Sequence, residues 1–332
     1  MDARILTETV SRLMQSPKGI LAIDESIPTC NKRFLALGVA TTEENRRAYR
    51  ELLITAPDIE QYISGYILFD ETLRQKAQDG ESFPAHLKDK GIFIGIKVDK
   101  GTVNFGETGA EKVTEGLNGL SDRLREYKAL GATFAKWRAI YTIGAGTPSD
   151  VFMQENANRF AEYALLCQSA GIVPIVEPEI LMDGTHTIEQ CFAVTARNLD
   201  IVFQTLKDKG VFIPGMILKT SMVIAGTDAP VQSTPREVAD MTIRCLTEHV
   251  PKEIGGIVFL SGGQGDEQAA ENLNAMHTHA PLPWSLTFSY GRAIQNKALM
   301  AWAKDPHAVY EAQSHLLEAA HANSLAREGK YQ

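Results

Sequence analysis

The sequence has few cysteines and no paired cysteine motif. Its 332 residues include four cysteines, which are scattered and form no Cys-x-x-Cys pair. A disulfide scaffold does not suit a chain of this length, and scattered free thiols are typical of a reducing compartment. The first residues, MDARILTETVSRLM, have neither the apolar core of a secretory signal nor the Arg/Ser-rich character of a transit peptide. We therefore expect a cytoplasmic protein.

Long hydrophobic runs and a net positive charge are also missing. No run approaches the roughly 18 uninterrupted apolar residues of a membrane span. The formal net charge is −8, which disfavours nucleic acid and anionic membranes as partners because both select basic surfaces. A few cations in one cleft can still attract an anionic substrate. With 44% hydrophobic residues, the chain can bury a sizeable core.

No low-complexity segment or change of composition marks a linker between domains. Instead, a short apolar run followed by a longer amphipathic stretch recurs eight times. The runs are residues 20–24, 64–70, 92–99, 134–141, 173–180, 216–223, 257–261 and 286–292. Several are rich in Ile, Val and Phe, which is typical of strands buried on both faces.

Helical patterns lie between most of these runs and after the last one. They cover residues 42–56, 117–130, 149–170, 188–207, 235–248, 266–279, 293–304 and 307–326. The alternation predicts a parallel sheet. Eight strands predict an α/β fold closed into one TIM-type (β/α)8 barrel over residues 1–332, with an N-terminal helix and a C-terminal helical segment packed outside. A doubly wound open sheet is the alternative, but no Gly-x-Gly-x-x-Gly turn follows the first run.

Seven charged residues lie in five of the apolar runs, where strands of a parallel sheet should be apolar. They are Asp24, Lys97, Lys136, Arg138, Glu177, Glu179 and Lys219. Such side chains are almost never buried unless they are paired. Each one alone could reach water at a strand end, but the set predicts a shared polar pocket. Residues two apart share one face of a strand, and strand ends converge at the mouth where barrel enzymes keep their sites.

This mixture of lysines and carboxylates indicates carbonyl chemistry. A lysine amine attacks a carbonyl only when it is neutral, and burial or a nearby second cation lowers its pKa. Carboxylates can move the protons of carbinolamine formation, dehydration and carbon–carbon cleavage. Lys219 is the favoured nucleophile because no other charge lies near it in the sequence. Lys136 is the alternative, although Arg138 on the same face suits it better to tuning a neighbour.

The segment LSGGQ, residues 260–264, indicates a phosphate site after the seventh run. Barrels often bind phosphate with the loops after strands seven and eight and with a helix N-terminus. Gly262 and Gly263 allow backbone N–H groups to approach an anion closely. Arg292, in FSYGR on the eighth run, adds a charge and a planar donor fork. On its own, such a Gly-Gly motif more often forms a simple turn. Its position after the seventh run, together with Arg292 on the eighth run, favours a phosphate-binding site.

Nearly end to end, the sequence resembles the class I, Schiff-base fructose-bisphosphate aldolases. The resemblance rests on KGILAIDES, TEENRRAYRELL, YILFDETL, GIKVDKG, FAKWR, ENANRFAEYA, GIVPIVEPEIL, LSGGQ, LTFSYGRA and ANSLAREGKY, in that order. It implies a lyase of glycolysis and gluconeogenesis that reversibly cleaves fructose 1,6-bisphosphate to dihydroxyacetone phosphate and glyceraldehyde 3-phosphate. It also implies a homotetramer that binds sugar phosphates and uses neither a metal nor another cofactor.

The resemblance also implies a role for each matched residue. Lys219 would form the Schiff base, Glu177 would be the acid and base of the carbinolamine steps, and Asp24 would take the hydroxyl proton during cleavage. Lys136 would hold charge beside the nucleophile. The implied substrate-binding residues are Arg138 and Glu179 in the cleft, Ser261, Gly262, Gly291 and Arg292 at one phosphate, and Ser26, Thr29, Lys97 and Arg33 at the other.

The sequence departs from the family pattern at matched positions. Thr220 and Ser221 stand where the family has Pro-Asn after the nucleophile, and Thr29 replaces a serine that contacts phosphate. The amine and the hydroxyl are both kept. Tyr331 matches a position before the family's C-terminal tail, which ends in a tyrosine, so no catalytic role is carried over to it.

Three other functions compete with this interpretation. A metal-dependent class II aldolase needs a histidine cluster, but His277 and His279 fall on different faces of a helical stretch and His186 stands alone. We expect all three to be solvated surface side chains. Another Schiff-base lyase, such as a transaldolase, is the second alternative. A binding scaffold without catalysis is the third, and the intact set of Asp24, Lys136, Glu177 and Lys219 argues against it.

Overall fold

The computed structural model describes residues 2–106 and 109–332. Within them lie ten strands: β1 (Gly19–Ile23), β2 (Ile63–Leu68), β3 (Phe93–Lys97), β4 (Thr102–Phe105), β5 (Glu111–Thr114), β6 (Ala132–Tyr141), β7 (Val173–Ile180), β8 (Ile217–Thr220), β9 (Gly256–Phe259) and β10 (Leu286–Tyr290). Eight of them are parallel and close into a barrel in the order β1-β10-β9-β8-β7-β6-β3-β2, while β4 and β5 form a separate antiparallel hairpin. The closed barrel predicted from the eight apolar runs is confirmed, and the open-sheet alternative is wrong.

Helices follow the barrel strands and surround them. They are α1 (Ala3–Leu13), α2 (Ile27–Ala36), α3 (Glu43–Ile54), α4 (Asp70–Arg74), α5 (Phe83–Asp89), α6 (Leu120–Ala129), α7 (Asp150–Ser169), α8 (Ile188–Asp208), α9 (Pro235–His249), α10 (Asp266–Met276), α11 (Arg292–Lys304) and α12 (Val309–Arg327), with 3-10 turns at Ile59–Gln61, Ile213–Gly215 and His277–His279. The described helices include none that is long and apolar enough to cross a membrane.

Alternation along the strands decides which side chains enter the barrel. On β1, Ile20 and Ala22 belong to the inner core, whereas Leu21 and Ile23 pack outward against the helices. On β6 and β7, Phe134 and Ile175 are inner residues. Because side chains alternate with a period of two, the residues two and four places further on face the same interior. This places the charged pairs of β6 and β7 directly above the apolar inner layer.

The lower end of the barrel is closed by α1. Leu6, Val10 and Leu13 of this helix are buried in the inner core. Phe134 fills the barrel against the backbone of Gly95, where an added Cβ would lie 2.2 Å from the Phe134 ring. A side chain at that glycine would displace the ring, since protein interiors are close-packed. The apolar plug leaves the opposite, C-terminal end as the open one.

The C-terminal helix α12 packs against α11, α10 and α3. The guanidinium of Arg327, near its end, donates to the backbone oxygen of Gln15 at 2.8 Å and also to those of Met14 and Lys18. Burial lowers the pKa of Arg327 to about 10. These contacts tie the end of the chain to the segment that joins α1 to β1.

Candidate active site

A cavity of about 740 Å³ opens at the carboxyl ends of the barrel strands. Its lining includes all fourteen residues to which the family resemblance assigns a catalytic or substrate-binding role. They are Asp24, Ser26, Thr29, Arg33, Lys97, Lys136, Arg138, Glu177, Glu179, Lys219, Ser261, Gly262, Gly291 and Arg292. Residues from seven barrel strands and the segments that follow them therefore meet in one place, as expected for the active end of a barrel enzyme.

The cavity carries an excess of positive charge although the whole chain is acidic. Seven basic and five acidic side chains line it, against a formal net charge of −8 for the protein. A concave site with a local excess of cations concentrates anionic ligands. The charge distribution is thus suited to a small anionic substrate.

Four charged groups form a chain across the centre of the cavity. The Lys136 Nζ lies 2.7 Å from Asp24 Oδ2 and 3.0 Å from Glu177 Oε2. The other oxygen of the same carboxylate, Glu177 Oε1, lies 3.1 Å from the Lys219 Nζ. Both lysines and Glu177 are about 95% buried. One carboxylate therefore joins two buried amines.

Their mutual contacts oppose the effect of burial on ionisation. Burial disfavours charge on Lys136, but the carboxylates of Asp24 and Glu177 hold its pKa above the ordinary lysine range. Burial likewise disfavours the Asp24 carboxylate, but Lys136 and then Lys219 lower its pKa to about 2. The pKa of Glu177 also lies below its usual value, because the same two lysines outweigh its burial. Lys136 is thus held as a cation between two anions.

A second ion pair lies one step further toward the opening. The Arg138 Nε pairs with Glu179 Oε2. Burial disfavours the charge on Arg138, but Glu179 raises its pKa. The backbone oxygen of Arg138 also accepts a hydrogen bond of 2.7 Å from Thr114 Oγ1 of the hairpin. The register between β6 and β7 sets Arg138 opposite Glu177 and Ile140 opposite Glu179, so the pair is slightly staggered.

Lys97 extends from the end of β3 and contacts Asp99. Its Nζ donates to the Asp99 backbone oxygen at 2.9 Å and also to the Asp99 carboxylate. The Asp99 side chain is 6% exposed. A buried carboxylate therefore fixes the position of this cation beside the cavity.

Two helices begin at the cavity wall, and the backbone N–H groups of a first turn form an anion-binding site. Ser26 immediately precedes α2, and its hydroxyl lies 3.1 Å from that of Thr29 in the first turn. Gly291 immediately precedes α11, whose first residue is Arg292. Pro28, also in the first turn of α2, costs no intrahelical hydrogen bond there. The two helix starts provide two separate places for an anion.

The loop after β9 adjoins the start of α11. Gly262 and Gly263 have φ angles of +61° and +110°, which residues with a Cβ rarely adopt. Gly291 approaches β1 so closely that an added Cβ would lie 3.1 Å from the Ala22 oxygen. Gly262 and Gly291 line the cavity together with Ser261, whose side chain is buried in the cavity wall.

Several polar residues of the cavity were not predicted from the sequence, among them Ser289, Glu25 and Asp99. Ser289 is fully buried on β10, and its Oγ has no hydrogen-bond partner among the described residues. A signal for it was present, because Ser289 lies two places before Gly291 in the phosphate motif and so shares its face. Asp99 could have been found from its spacing of two from Lys97.

Of the three histidines that were expected on the surface, His277 and His279 lie there and His186 does not. His186 was expected on the surface but is buried at 5% exposure, and burial lowers its pKa. The reason is that its loop is hydrogen-bonded to the loop after β8, from Gly226 N to His186 O at 2.8 Å. His277 is exposed, and His279 lies 2.9 Å from Asp240 Oδ1. None of these three histidines lines the cavity.

The replacement of Pro-Asn after Lys219 has a packing consequence. The Ser221 Oγ donates a hydrogen bond of 2.8 Å to the backbone oxygen of Ile180. This bond joins the end of β8 to the end of β7. It fixes the backbone just after Lys219 relative to the strand that carries Glu177.

Comparison with known proteins gives a consistent result over the full length. A family model described as fructose-bisphosphate aldolase class-I matches residues 5–332. A probable fructose-bisphosphate aldolase class 1 of Xanthomonas campestris pv. campestris is 51% identical over 332 residues, covering 100% of this chain and 99% of that protein. Fructose-bisphosphate aldolase C of Carassius auratus is 47% identical, covering 99% of this chain and 91% of that protein. The solved structure of fructose-bisphosphate aldolase from Plasmodium falciparum, in complex with TRAP and a small-molecule inhibitor, is 46% identical and superimposes with a TM-score of 0.98, covering 99% of this chain and 96% of that chain.

Proposed function

The chain belongs to the class I fructose-bisphosphate aldolase family, and we propose that it cleaves fructose 1,6-bisphosphate through a Schiff base on Lys219. The observation that carries this proposal is the position of Glu177, whose two carboxylate oxygens lie 3.0 Å from one buried lysine and 3.1 Å from another. This arrangement supplies a nucleophile, a proton carrier and a permanent cation within a single chain of ion pairs.

Lys219 is the nucleophile and Lys136 the permanent cation. Lys136 is held by two carboxylates, and its pKa is raised, so its amine keeps its proton and its lone pair is blocked. Lys219 pairs with one carboxylate, which it shares with Lys136. Loss of a proton from Lys219 to Glu177 frees its amine to attack the C2 carbonyl of the open-chain ketose.

Glu177 then serves the carbinolamine steps. Attack by the Lys219 amine gives a carbinolamine whose C2 hydroxyl must leave as water. The proton that Glu177 has accepted can be returned to that hydroxyl, and the resulting iminium remains beside an anion once Glu177 is ionised again. A carboxylate within hydrogen-bond reach of the reacting nitrogen satisfies the geometric requirement for such a general acid and base.

Asp24 accepts the hydroxyl proton when the carbon–carbon bond breaks. As the C3–C4 electrons flow into the iminium, the C4 hydroxyl becomes the oxygen of an incipient aldehyde and is then strongly acidic. An acceptor with a pKa of about 2 is basic enough for that proton and is ionised throughout the neutral range. Glyceraldehyde 3-phosphate leaves, and protonation and hydrolysis of the enamine release dihydroxyacetone phosphate.

The two ends of the cavity bind the two phosphates. Ser261, Gly262, Gly291 and Arg292, at the loop after β9 and the start of α11, bind the phosphate nearer C1, and the free hydroxyl of Ser289 joins them. Ser26, Thr29, Lys97 and Arg33 bind the phosphate at C6, at the start of α2. Arg138 and Glu179 line the wall between them. Support comes from the two helix N-termini and the cations at each end.

A direct assay tests this function. The purified protein should release glyceraldehyde 3-phosphate from fructose 1,6-bisphosphate at the same rate with and without a chelator such as EDTA. Loss of the activity in EDTA would indicate the metal-dependent reaction instead. Absence of cleavage under both conditions would favour the scaffold alternative.

The assembly and location of the protein complete the proposal. A homotetramer in the cytoplasm agrees with the family and with a relative named fructose-bisphosphate aldolase 4, cytosolic, of Arabidopsis thaliana, which is 50% identical and of which this chain covers 80%. All four cysteines are free and buried, which suits a reducing compartment. Sedimentation equilibrium of the purified protein tests the tetramer.

A further inference from the structure

Glu25, the residue between Asp24 and Ser26, lies at the centre of a buried ion network. Its carboxylate pairs with Arg33 Nη1 through Oε1 and with Arg50 Nη2 through Oε2, the latter at 2.9 Å. The Arg50 side chain is 3% exposed and that of Glu25 is 14% exposed. Among the described residues, no other carboxylate pairs with either arginine. The Glu25 carboxylate, in the segment between β1 and α2, therefore pairs with one arginine of α2 and one arginine of α3.

Arg33 is fixed from a second side by α11. Its Nη1 donates to Gln295 Oε1 at 3.1 Å, and its Nη2 donates to Asn296 Oδ1 at 3.2 Å. Gln295 is fully buried, donates to the Ala22 backbone oxygen and accepts a hydrogen bond of 2.9 Å from the Tyr49 hydroxyl. The guanidinium is thus held between Glu25, in the segment that joins β1 to α2, and two residues of α11, in the wall of the cavity.

The network requires an ionised Glu25. Burial disfavours its charge, but Arg50 and then Arg33 outweigh that effect and lower its pKa. Two guanidinium groups on one carboxylate leave an excess positive charge at this point of the wall. That excess faces the place where a phosphate is proposed to bind.

We propose that Glu25 is a positioning residue for the C6 phosphate, acting through Arg33. By holding the Arg33 guanidinium beside α11 before substrate arrives, Glu25 reduces the side-chain entropy that phosphate binding would otherwise cost. The inference rests on the proposed function, because it assumes that this end of the cavity binds a phosphate.

The direction in which KM changes in Glu25→Gln distinguishes a positioning role from a purely electrostatic one. Removing a carboxylate near an anion site favours the anion by Coulomb's law, so charge alone predicts a lower KM for the bisphosphate in Glu25→Gln. Lost positioning predicts a higher one. Fructose 1-phosphate lacks the C6 phosphate and serves as the internal comparison.

The experiment measures kcat and KM of Glu25→Gln with both substrates. We expect the KM for fructose 1,6-bisphosphate to rise by about fivefold or more with kcat within about twofold, the pattern of lost ground-state binding. The KM for fructose 1-phosphate should change by less than about twofold. An unchanged or lower KM for the bisphosphate, or an equal rise for both substrates, would overturn the proposal.

Two further variants show whether Glu25 acts through Arg33. In an Arg33→Ala background, Glu25→Gln should add little to the rise in KM, because coupled residues give non-additive effects. Additive effects would contradict the mechanism. Glu25→Asp keeps the charge but shortens the side chain, and it carries the same two-substrate test if Glu25→Gln fails to fold. We expect the same selectivity for the bisphosphate.

The matched control is Glu71→Gln. Glu71 pairs with Arg46 through both oxygens, at 2.8 and 2.7 Å, and is 17% exposed, but it does not line the cavity. Its loss should leave both KM values unchanged. Reduction of the wild type with borohydride and dihydroxyacetone phosphate reports on the proposed function separately. A wild type that forms no adduct refutes that function, whereas an active wild type with an unselective Glu25→Gln refutes only this inference.

Discussion

Glu177 Oε1 lies 3.1 Å from Lys219 Nζ, at the end of an apolar interior and beneath an open cavity. The carboxylate faces a second amine through its other oxygen, 3.0 Å from Lys136. A proton that leaves Lys219 can therefore pass to a carboxylate of the same chain of ion pairs. This contact links the packing of two neighbouring strands, β7 and β8, to the first chemical step.

Glu177→Gln removes the proton carrier and keeps the shape of the side chain. We expect kcat for fructose 1,6-bisphosphate to fall by about 10²- to 10⁴-fold, the usual contribution of a general acid and base. KM should change far less, since no phosphate contact is lost. Steady-state kinetics measures both. The exposed Glu162→Gln on α7 is the control and should be unchanged. A loss of kcat below about tenfold would show that another group carries the proton.

Arg292→Ala tests the phosphate nearer C1. The lost contact is a charge-assisted hydrogen bond of about 1.5–3 kcal/mol, so KM should rise by about 10- to 150-fold. The rise should be similar for fructose 1,6-bisphosphate and fructose 1-phosphate, because both carry that phosphate, and much smaller for an unphosphorylated analogue. Arg236→Ala removes an arginine that is 91% exposed on α9 and should have no effect. An equal effect on all three sugars would indicate that Arg292 is structural.

Lys97→Gln tests the opposite end of the substrate. Glutamine keeps a donor for the buried Asp99 carboxylate but removes the cation. We expect a higher KM for fructose 1,6-bisphosphate and little change for fructose 1-phosphate, which has no phosphate at C6. The exposed Lys88→Gln on α5 is the matched control. Parallel changes with the two substrates would mean that Lys97 serves the fold through Asp99 and not the phosphate.

The depressed pKa of Asp24 predicts a pH-dependent contribution to stability. The pKa is about 2 in the folded protein against an ordinary value of 3.8. The stabilisation is therefore complete above the ordinary pKa and is lost as the pH falls from about 4 toward 2. We expect the difference in unfolding free energy between wild type and Asp24→Asn to shrink by about 1 kcal/mol between about pH 6 and about pH 3. Urea denaturation of both proteins measures it. A difference that is constant across this range would contradict the lowered pKa.

Much of the site follows from the two-residue period of the strands. On β6 and β7 the spacing of Lys136 from Arg138, and of Glu177 from Glu179, is enough to predict that each pair faces one side. The apolar runs fix which end of each strand carries charge. The shared face of each pair and the charged end of each strand can both be predicted from the local sequence, and the structure agrees with both predictions.

The partners of these charges could not be predicted in the same way. Lys136 pairs with Asp24, although β6 and β1 are separated by β3 and β2 on one side of the barrel. That contact crosses the interior and depends on barrel closure and register. The burial of His186 likewise depends on a neighbouring loop, through Gly226 N. Ser289 shares a face with Gly291 of the phosphate motif, but the sequence does not show that its buried hydroxyl is left without a partner in the described part of the fold.

The most direct test of the central claim is borohydride reduction in the presence of dihydroxyacetone phosphate, followed by peptide mapping. The Schiff base is an imine, and its reduction leaves a stable secondary amine at the reacting lysine. We predict one adduct, on the peptide that contains Lys219, and none in Lys219→Ala. In Lys136→Ala most of the rate should be lost, yet any adduct should still map to Lys219. An adduct on Lys136 of the unmodified protein would contradict the account.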